Sequence, residues 1–476
     1  MLYPQPGLFI NGHWIDQSRD ALAVLNPATV ETLGQLPMAS PADIARAIAA
    51  AHQAFRTWRR TPARTRAAIL QRTARILLDR KEKLARIITL ELGKPLAESR
   101  AEVDTAIGMF EWHAEEAPRT YGRIIPGREP LTRQMAVLEP VGPVAAFSGW
   151  NAPAITPSRK IAGALAAGCT IVLKPAEETP ATACEIGRAL QEAGVPEGVV
   201  NLVFGNPGAI SDQLLAAEEI RALTFTGSTV IGRALAQKAA AGLKRATLEL
   251  GGHAPVLVFE DADMESAIRH IATAKFRNSG QVCTSPTRIY VQEAMYETFC
   301  NHFAERAAAL KIGNGLDESV QMGPLANPRR LAAMQALTRD ALEKGATLLC
   351  GGDSPSATGW FWAPTVLCDY PDHCDAAHIE PFGPMALLHR FTNLDDAIAK
   401  ANRLPFGLAA YAFTNRADQI NVLGQEVESG VICFNHCRAS LPETPFGGVK
   451  DSGLGREGGT EGLREFLQVK YLSQAS

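Results

Sequence analysis

The chain has 476 residues, 46% of them apolar and 20% charged, with a formal net charge of −3. That length exceeds what one hydrophobic core normally supports, so two or three domains are expected, and the composition is that of a folded protein rather than a disordered one. The near-neutral charge leaves no electrostatic footprint for nucleic acid or an anionic membrane, and neither is expected as a partner.

Met1 to Pro6 has neither a basic nor an apolar signal region, and no apolar run is long enough to span a bilayer, so a cytoplasmic protein is expected. Leu8 to Ile15 reads as a hairpin about Asn11-Gly12. Ser40-Pro41 opens a helical region running to about His113, with Ile44, Ile48 and Phe55 on one face. The basic run from Arg56 to Arg86 contains Leu70, Ile76, Leu77 and Leu84 at near-helical spacing and reads as the solvated faces of amphipathic helices.

From Val141 the texture changes to short apolar runs that alternate with helical stretches. Val144 to Phe147, Thr170 to Leu173, Val199 to Phe204 and Ala222 to Phe225 read as buried parallel strands. Arg159 to Ala167, Ala181 to Ala193 and Ser228 to Ala241 read as their crossover helices, which makes an α/β, doubly wound, Rossmann-like layout. A second α/β set follows Gly252, with strands at Pro255 to Val258, Arg288 to Val291 and Val431 to Asn435 and helices at Glu265 to Phe276 and Tyr296 to Leu310.

Two glycine patterns compete as phosphate loops. Gly453-Leu454-Gly455-Arg456-Glu457-Gly458 matches G-x-G-x-x-G literally, but no βαβ unit surrounds it and it is set aside. Thr226-Gly227-Ser228 follows a strand and opens a helix; Ser228 can cap that helix, and the free N–H groups behind it would hold a pyrophosphate. The same residues also describe an ordinary capped turn. Lys174 and Glu177, at the end of an earlier strand, are placed to reach an adenosine ribose, although a surface ion pair fits them too. A carboxylate there repels a 2′-phosphate, which favours NAD over NADP.

Nine cysteines without a secretion signal suggest reduced thiols, and Cys433 and Cys437 lack the histidine pair that would complete a zinc site, so no metal is expected. Cys283 differs from the rest in its setting. It follows Asn278, Ser279 and Gly280 in a polar, glycine-containing bend that a substrate can reach, while Leu248-Glu249-Leu250-Gly251-Gly252 supplies a carboxylate able to activate water.

These motifs occur together and in order, and by them the chain resembles the aldehyde dehydrogenase superfamily over essentially its whole length. The matching stretches are Gly149-Trp150-Asn151, Lys174 with Glu177, Phe225 to Ser228, Leu248 to Gly252, Gly280 to Cys283, Glu380-Pro381-Phe382-Gly383-Pro384 and Pro445-Phe446-Gly447-Gly448. The resemblance implies that Cys283 attacks the aldehyde carbon, that Asn151 and the Cys283 N–H hold the oxyanion, and that Glu249 activates the water which hydrolyses the thioester. It further implies a cofactor site with Trp150, Lys174, Glu177, Gly227 and Ser228, Glu380 on the nicotinamide ribose and Phe382 near the ring. Lys160 and Glu457 resemble residues that assist proton transfer or stabilise the site.

The implied architecture is a nucleotide-binding domain over 1–120 and 140–251, a catalytic domain over 252–451, and a small β bridging or oligomerisation segment over 121–139 and 452–476, assembled as a homodimer or homotetramer. Arg159 and Arg277 match arginines that hold the distal carboxylate in succinic semialdehyde dehydrogenases, and α-ketoglutaric semialdehyde dehydrogenases look similar there. Arg438 is a candidate third cation. Asn151-Ala152-Pro153 departs from the commoner Asn-Phe-Pro and removes an aromatic wall from the expected aldehyde tunnel. The expected activity is therefore NAD-dependent oxidation of an acid semialdehyde. A neutral aliphatic or aromatic aldehyde, acyl transfer to coenzyme A, and an NAD-independent cysteine esterase stand as alternatives.

Overall fold

A computed structural model of the protein describes residues 3–16 and 20–475. Its first sheet has eight strands in the order His13–Ile15, Leu8–Ile10, Val200–Leu202, Ile171–Lys174, Val144–Phe147, Ala222–Thr226, Arg245–Glu249, Gly453–Leu454. The five from Val200–Leu202 to Arg245–Glu249 are parallel, and the flanking pairs are antiparallel. Apolar residues fill both faces, which is why these strands read as continuous apolar runs rather than alternating ones. Asn11 and Gly12 both take positive φ, 52° and 81°, as a two-residue hairpin turn requires.

The second sheet has seven strands, ordered Thr347–Cys350, Thr365–Cys368, Met385–Phe391, Arg288–Gln292, Pro255–Val258, Ala409–Phe413, Val431–Phe434; all neighbours are parallel except the first pair. A third, antiparallel sheet joins Arg123–Pro126, Thr132–Pro140 and Leu467–Ala475. The described part of the stretch 452–476 is divided between two sheets. Gly453–Leu454 extends the edge of the first sheet and the helix Gly459–Arg464 packs on the helix Ile155–Ala167, leaving only Leu467–Ala475 in the small sheet.

The helical region before His113 comprises Pro41–Trp58, Ala63–Asp79, Lys81–Leu92 and Leu96–Glu116. Ser40 caps the first in a reciprocal box with Asp43. Arg66 departs from the expected solvated face: it is buried, and its Nε donates to Ala166 O at 3.1 Å, so it ties two helices together. The helix Ile155–Ala167 begins four residues before Arg159 and is buried on every side from Thr156 to Ala167, which forces Arg159 and Lys160 to find polar partners inside the protein. No helix among the described residues is long and apolar enough to cross a membrane.

Candidate active site

The order of the first sheet reverses between Val144–Phe147 and Ala222–Thr226, and in open α/β sheets such a switch point leaves a crevice beyond the carboxyl ends of the strands. A cavity of about 970 Å³ opens there. Its wall includes Cys283, Glu249 and Asn151, together with Trp150, Gly227, Ser228, Glu380 and Phe382, and also Arg159, Arg277 and Arg438. Lys160, Glu457, Lys174 and Glu177 stand outside that wall.

Cys283 is reached through an unusual turn. Asn278 and Ser279 lie in the left-handed region at φ 49° and 54°, followed by Gly280 at φ 72°. Left-handed backbone costs an L-residue about 1–2 kcal/mol, so two in succession need holding. The Asn278 N–H donates to Glu98 Oε2 at 2.8 Å, its Nδ2 donates to Asn151 O at 3.0 Å, and Ser279 Oγ donates to Gly323 O at 2.7 Å. A Cβ on Gly280 would lie 2.0 Å from Gly383 O, so glycine is required there. The Asn151 side chain turns toward the same loop, its Nδ2 donating to Gln281 O at 3.2 Å.

Burial, then the Glu249 and Glu380 carboxylates, push the Cys283 thiol well above the ordinary thiol range. The thiol therefore rests protonated, facing a carboxylate. Glu249 is itself raised to about 7, first by burial and next by the Glu457 charge, and its Oε1 is buried without a hydrogen-bond partner. An acceptor that titrates near neutrality suits proton transfer from a thiol or a water.

Behind Glu249, the Lys160 ammonium contacts Glu457 Oε1 and donates to Thr224 Oγ1 at 3.0 Å. Burial would raise Glu457, but Lys160 and Arg159 outweigh it and hold that carboxyl below its usual range. Glu457 thus stays charged and adds to the effect of burial on its neighbour Glu249.

The three arginines are not equivalent. Arg159 is 4% exposed; it donates to Ser440 Oγ at 2.7 Å, lies 4.8 Å over the Phe446 ring and sits 3.8 Å from Glu457 Oε2, yet its Nε has no partner. Arg277 and Arg438 are exposed on the cavity wall.

The switch-point side of the cavity fits a dinucleotide. Ser228 is the residue before the helix Thr229–Ala241, but its hydroxyl makes no capping hydrogen bond, contrary to the expected cap. The first-turn N–H groups stay open to an anion. Thr226 Oγ1 is buried and unpartnered on the same wall, and a Cβ on Gly251 would come 2.8 Å from Glu380 Oε2, so glycine keeps that approach clear. Glu380 is pushed up to about 8 by burial. Phe382, at φ 43°, meets Trp150 edge-on with ring centroids 5.4 Å apart. Glu177 pairs with Lys174 at 2.6 Å and accepts the Gly205 N–H at 3.2 Å, which fixes its carboxylate at the end of Ile171–Lys174. Gly453-Leu454 is an edge strand with no βαβ unit about it.

Several wall residues carry no local sequence signal. Lys94, Glu98 and Glu102 enter from the start of the helix Leu96–Glu116, and Arg330 enters from Pro328–Glu343, where it lies 5.9 Å over Phe382 and contacts Pro381 O.

Residues 14–472 match the Aldehyde dehydrogenase family. The chain belongs to the aldehyde dehydrogenase family. Among relatives of this aldehyde dehydrogenase, a protein of Comamonas testosteroni named putative 4-(hydroxymethyl)benzenesulfonate dehydrogenase TsaD2 is 46% identical over 99% of this chain and 98% of its own. The succinate-semialdehyde dehydrogenase [NADP(+)] GabD of Escherichia coli K12 is 42% identical over 99% of this chain and 98% of its own. A glutarate-semialdehyde dehydrogenase of Pseudomonas putida is 42% identical over 98% and 96%. The crystal structure of a succinate-semialdehyde dehydrogenase from Burkholderia pseudomallei superposes with a TM-score of 0.97 at 40% identity, covering 100% of this chain and 98% of that one. The enzyme is thus an oxidoreductase of aldehydes with the aldehyde dehydrogenase fold.

Proposed function

We propose that this aldehyde dehydrogenase oxidises an aldehyde bearing an anionic group at its far end, an acid semialdehyde, with NAD in preference to NADP. Cationic side chains on the nucleophile's own cavity carry the substrate reading: Arg277 and Arg438 are exposed there, and Arg159 keeps an unpartnered buried Nε. A guanidinium can grip a carboxylate bidentately and so orient the aldehyde over the thiol. Glu177 carries the cofactor preference, since its fixed carboxylate would oppose a 2′-phosphate; the E. coli relative is named for NADP, and the proposed preference departs from that name.

In this mechanism Glu249 takes the Cys283 proton and Sγ attacks the aldehyde carbon. Asn151 Nδ2 and the Cys283 N–H hold the resulting oxyanion. Trp150, Glu380, Phe382, the open end of Thr229–Ala241, Lys174 and Glu177 would hold the dinucleotide, which when bound accepts the hydride released as the thiohemiacetal becomes a thioester. Glu249 gives up the thiol's proton to solvent and then accepts one from the water that hydrolyses the thioester, which frees the carboxylic acid and Cys283. Glu457, held charged by Lys160, favours the protonated form of Glu249 between steps, while the Lys160 charge itself acts the other way.

A second reading concerns the body of the substrate. Ala152 and Ile155 both stand in the cavity wall, and the small Ala152 side chain leaves space that suits a ring in the substrate itself. Relatives named for 4-(hydroxymethyl)benzenesulfonate and 3-sulfolactaldehyde extend the anion from carboxylate to sulfonate.

The test is reduced-cofactor production with succinic, glutaric and α-ketoglutaric semialdehydes, 4-formylbenzenesulfonate, benzaldehyde and propanal, each with NAD and NADP. Anionic aldehydes with NAD should give the highest kcat/KM. Arg277→Ala should lower kcat/KM for the anions roughly 10- to 100-fold, the loss of one charge-assisted hydrogen bond, with benzaldehyde little changed. A parent that prefers neutral aldehydes, or an Arg277→Ala variant that keeps the full anion preference, would refute the substrate class. Equal use of NADP would refute the cofactor assignment.

A further inference from the structure

We infer that Lys94, Glu98 and Glu102 form a positioning clamp that sets the oxyanion-binding Asn151 against the Cys283 loop. The clamp rests on the proposed roles of Asn151 and Cys283. It is built from Lys94, just before the helix Leu96–Glu116, and from the first two turns of that helix, and it touches both catalytic loops at once.

On one side it grips the oxyanion loop. The helix Ile155–Ala167 begins after Ala154, a residue with no side chain to cap it. Glu102 supplies the missing acceptor from another helix: its Oε1 receives the Ala154 N–H at 2.8 Å and the Ile155 N–H at 3.4 Å. A carboxylate at a helix amino terminus is favoured by the open N–H groups and the helix dipole. Lys94 contacts the other Glu102 oxygen and also donates to Asn151 O at 3.3 Å. Both side chains are buried, so the pair is held rather than solvated.

On the other side Glu98, one turn before Glu102, accepts the N–H of left-handed Asn278. Asn278 Nδ2 closes the circuit by donating to Asn151 O and, at 3.1 Å, to Gln281 O, the same carbonyl that receives Asn151 Nδ2. The Asn151 carbonyl and amide are therefore fixed at both ends by groups that Glu98 and Lys94 orient. Without Glu98 the strained turn loses a charge-assisted hydrogen bond and can relax, carrying Asn278, and with it Asn151, out of register with Cys283. None of the three residues is required to touch the reacting atoms.

The experiment compares Glu98→Ala, Glu98→Gln, Asn151→Ala and the Glu98→Ala/Asn151→Ala double variant, in full-length protein, with a Lys94→Met/Glu102→Leu pair that removes the buried charges together. Unfolded material, in which all nine cysteines would react, is first removed by gel filtration; rates are then normalised to Cys283 thiols, counted by mass spectrometry as the Cys283 peptide labelled by iodoacetamide, and NAD affinity is read by fluorescence. Glu98→Ala should lower kcat per thiol roughly 10- to 100-fold, the scale on which misplaced catalytic groups act, with NAD affinity unchanged. Glu98→Gln, which keeps an acceptor oxygen, should recover most of the rate. In the Asn151→Ala background Glu98→Ala should have little further effect, because its action passes through Asn151. The clamp is overturned if Glu98→Ala keeps kcat per thiol within twofold of the parent, or if its loss simply multiplies that of Asn151→Ala. It is equally overturned if the Lys94→Met/Glu102→Leu protein turns over normally. If instead Asn151→Ala itself is fully active, the failure lies in the oxyanion assignment beneath the clamp, and the two failures are distinguishable.

Discussion

Glu249 shows how one buried carboxyl can serve two proton transfers. Its ordinary value of 4.5 is raised to about 7, so near neutral pH it exists in both forms. Turnover limited by thioester hydrolysis should rise with pH through about 7 as the base form fills. Glu249→Gln should slow both the first turnover, seen as a slower burst of reduced cofactor, and the steady state, with kcat down roughly 10²- to 10⁴-fold; retained steady turnover would count against its role. The same shift predicts a stability effect. A native carboxyl that binds its proton more tightly than the unfolded chain adds stability below 4.5, and that stability is lost as pH climbs to about 7. Glu380, raised to about 8, acts with the same sign. Between pH 4.5 and 8 the parent should therefore lose more stability than Glu249→Gln, by up to about 3 kcal/mol in urea unfolding. Parallel pH slopes in the two proteins would contradict the burial effect.

At the scale of elements, the site is made where loops are over-determined by helices. The turn 277–280 is held by Glu98 from one helix and by Gly323 and Gly383 from elsewhere, and its left-handed residues persist because the surroundings leave them no other path. Gly280→Ala adds a Cβ 2.0 Å from Gly383 O in a backbone region that disfavours it. That substitution should destabilise by roughly 2–4 kcal/mol and suppress activity, measured by urea midpoint and turnover. Gly424 offers the control. It lies inside the helix Ala417–Glu426 with nothing within 4 Å of an added Cβ, so Gly424→Ala should be neutral or stabilising by about 0.5–1 kcal/mol. Similar responses at the two positions would show that the turn is not under constraint.

At the scale of the molecule, the small sheet stands out as incompletely covered. Val469 and Tyr471 are 70% and 57% exposed on one face of Leu467–Ala475, Ile124 is 77% exposed on the other face of the same sheet, and apolar exposure of this kind marks an association surface. We propose that copies of the chain associate through it. Light scattering should give a dimer or tetramer for the parent, and Val469→Asp/Tyr471→Asp should shift it toward monomer; an unaltered assembly would place the contact elsewhere.

The parallel strands, the Asn11-Gly12 turn and the helix start at Ser40-Pro41 were legible in the sequence because each depends on residues within a few positions of one another. So were the chemical types at the site, a thiol, a carboxylate, an amide and arginines, each announced by its own short motif. Arg66, Lys94, Glu98 and Glu102 were not legible, since a polar residue on an amphipathic helix reads as solvated until the partner helix is known. The strands Thr365–Cys368, Met385–Phe391 and Ala409–Phe413 went unread for a related reason: short apolar runs acquire a strand identity only from the neighbours that pair with them. Local sequence thus determined which groups are present and which turns they sit on. Only the tertiary structure decided that Glu249 is desolvated beside the Glu457 charge, that Arg159 is engaged while Arg277 is exposed, and that one helix holds both catalytic loops. Burial and electrostatic coupling are summed over residues far apart in the chain, and no window of sequence contains that sum.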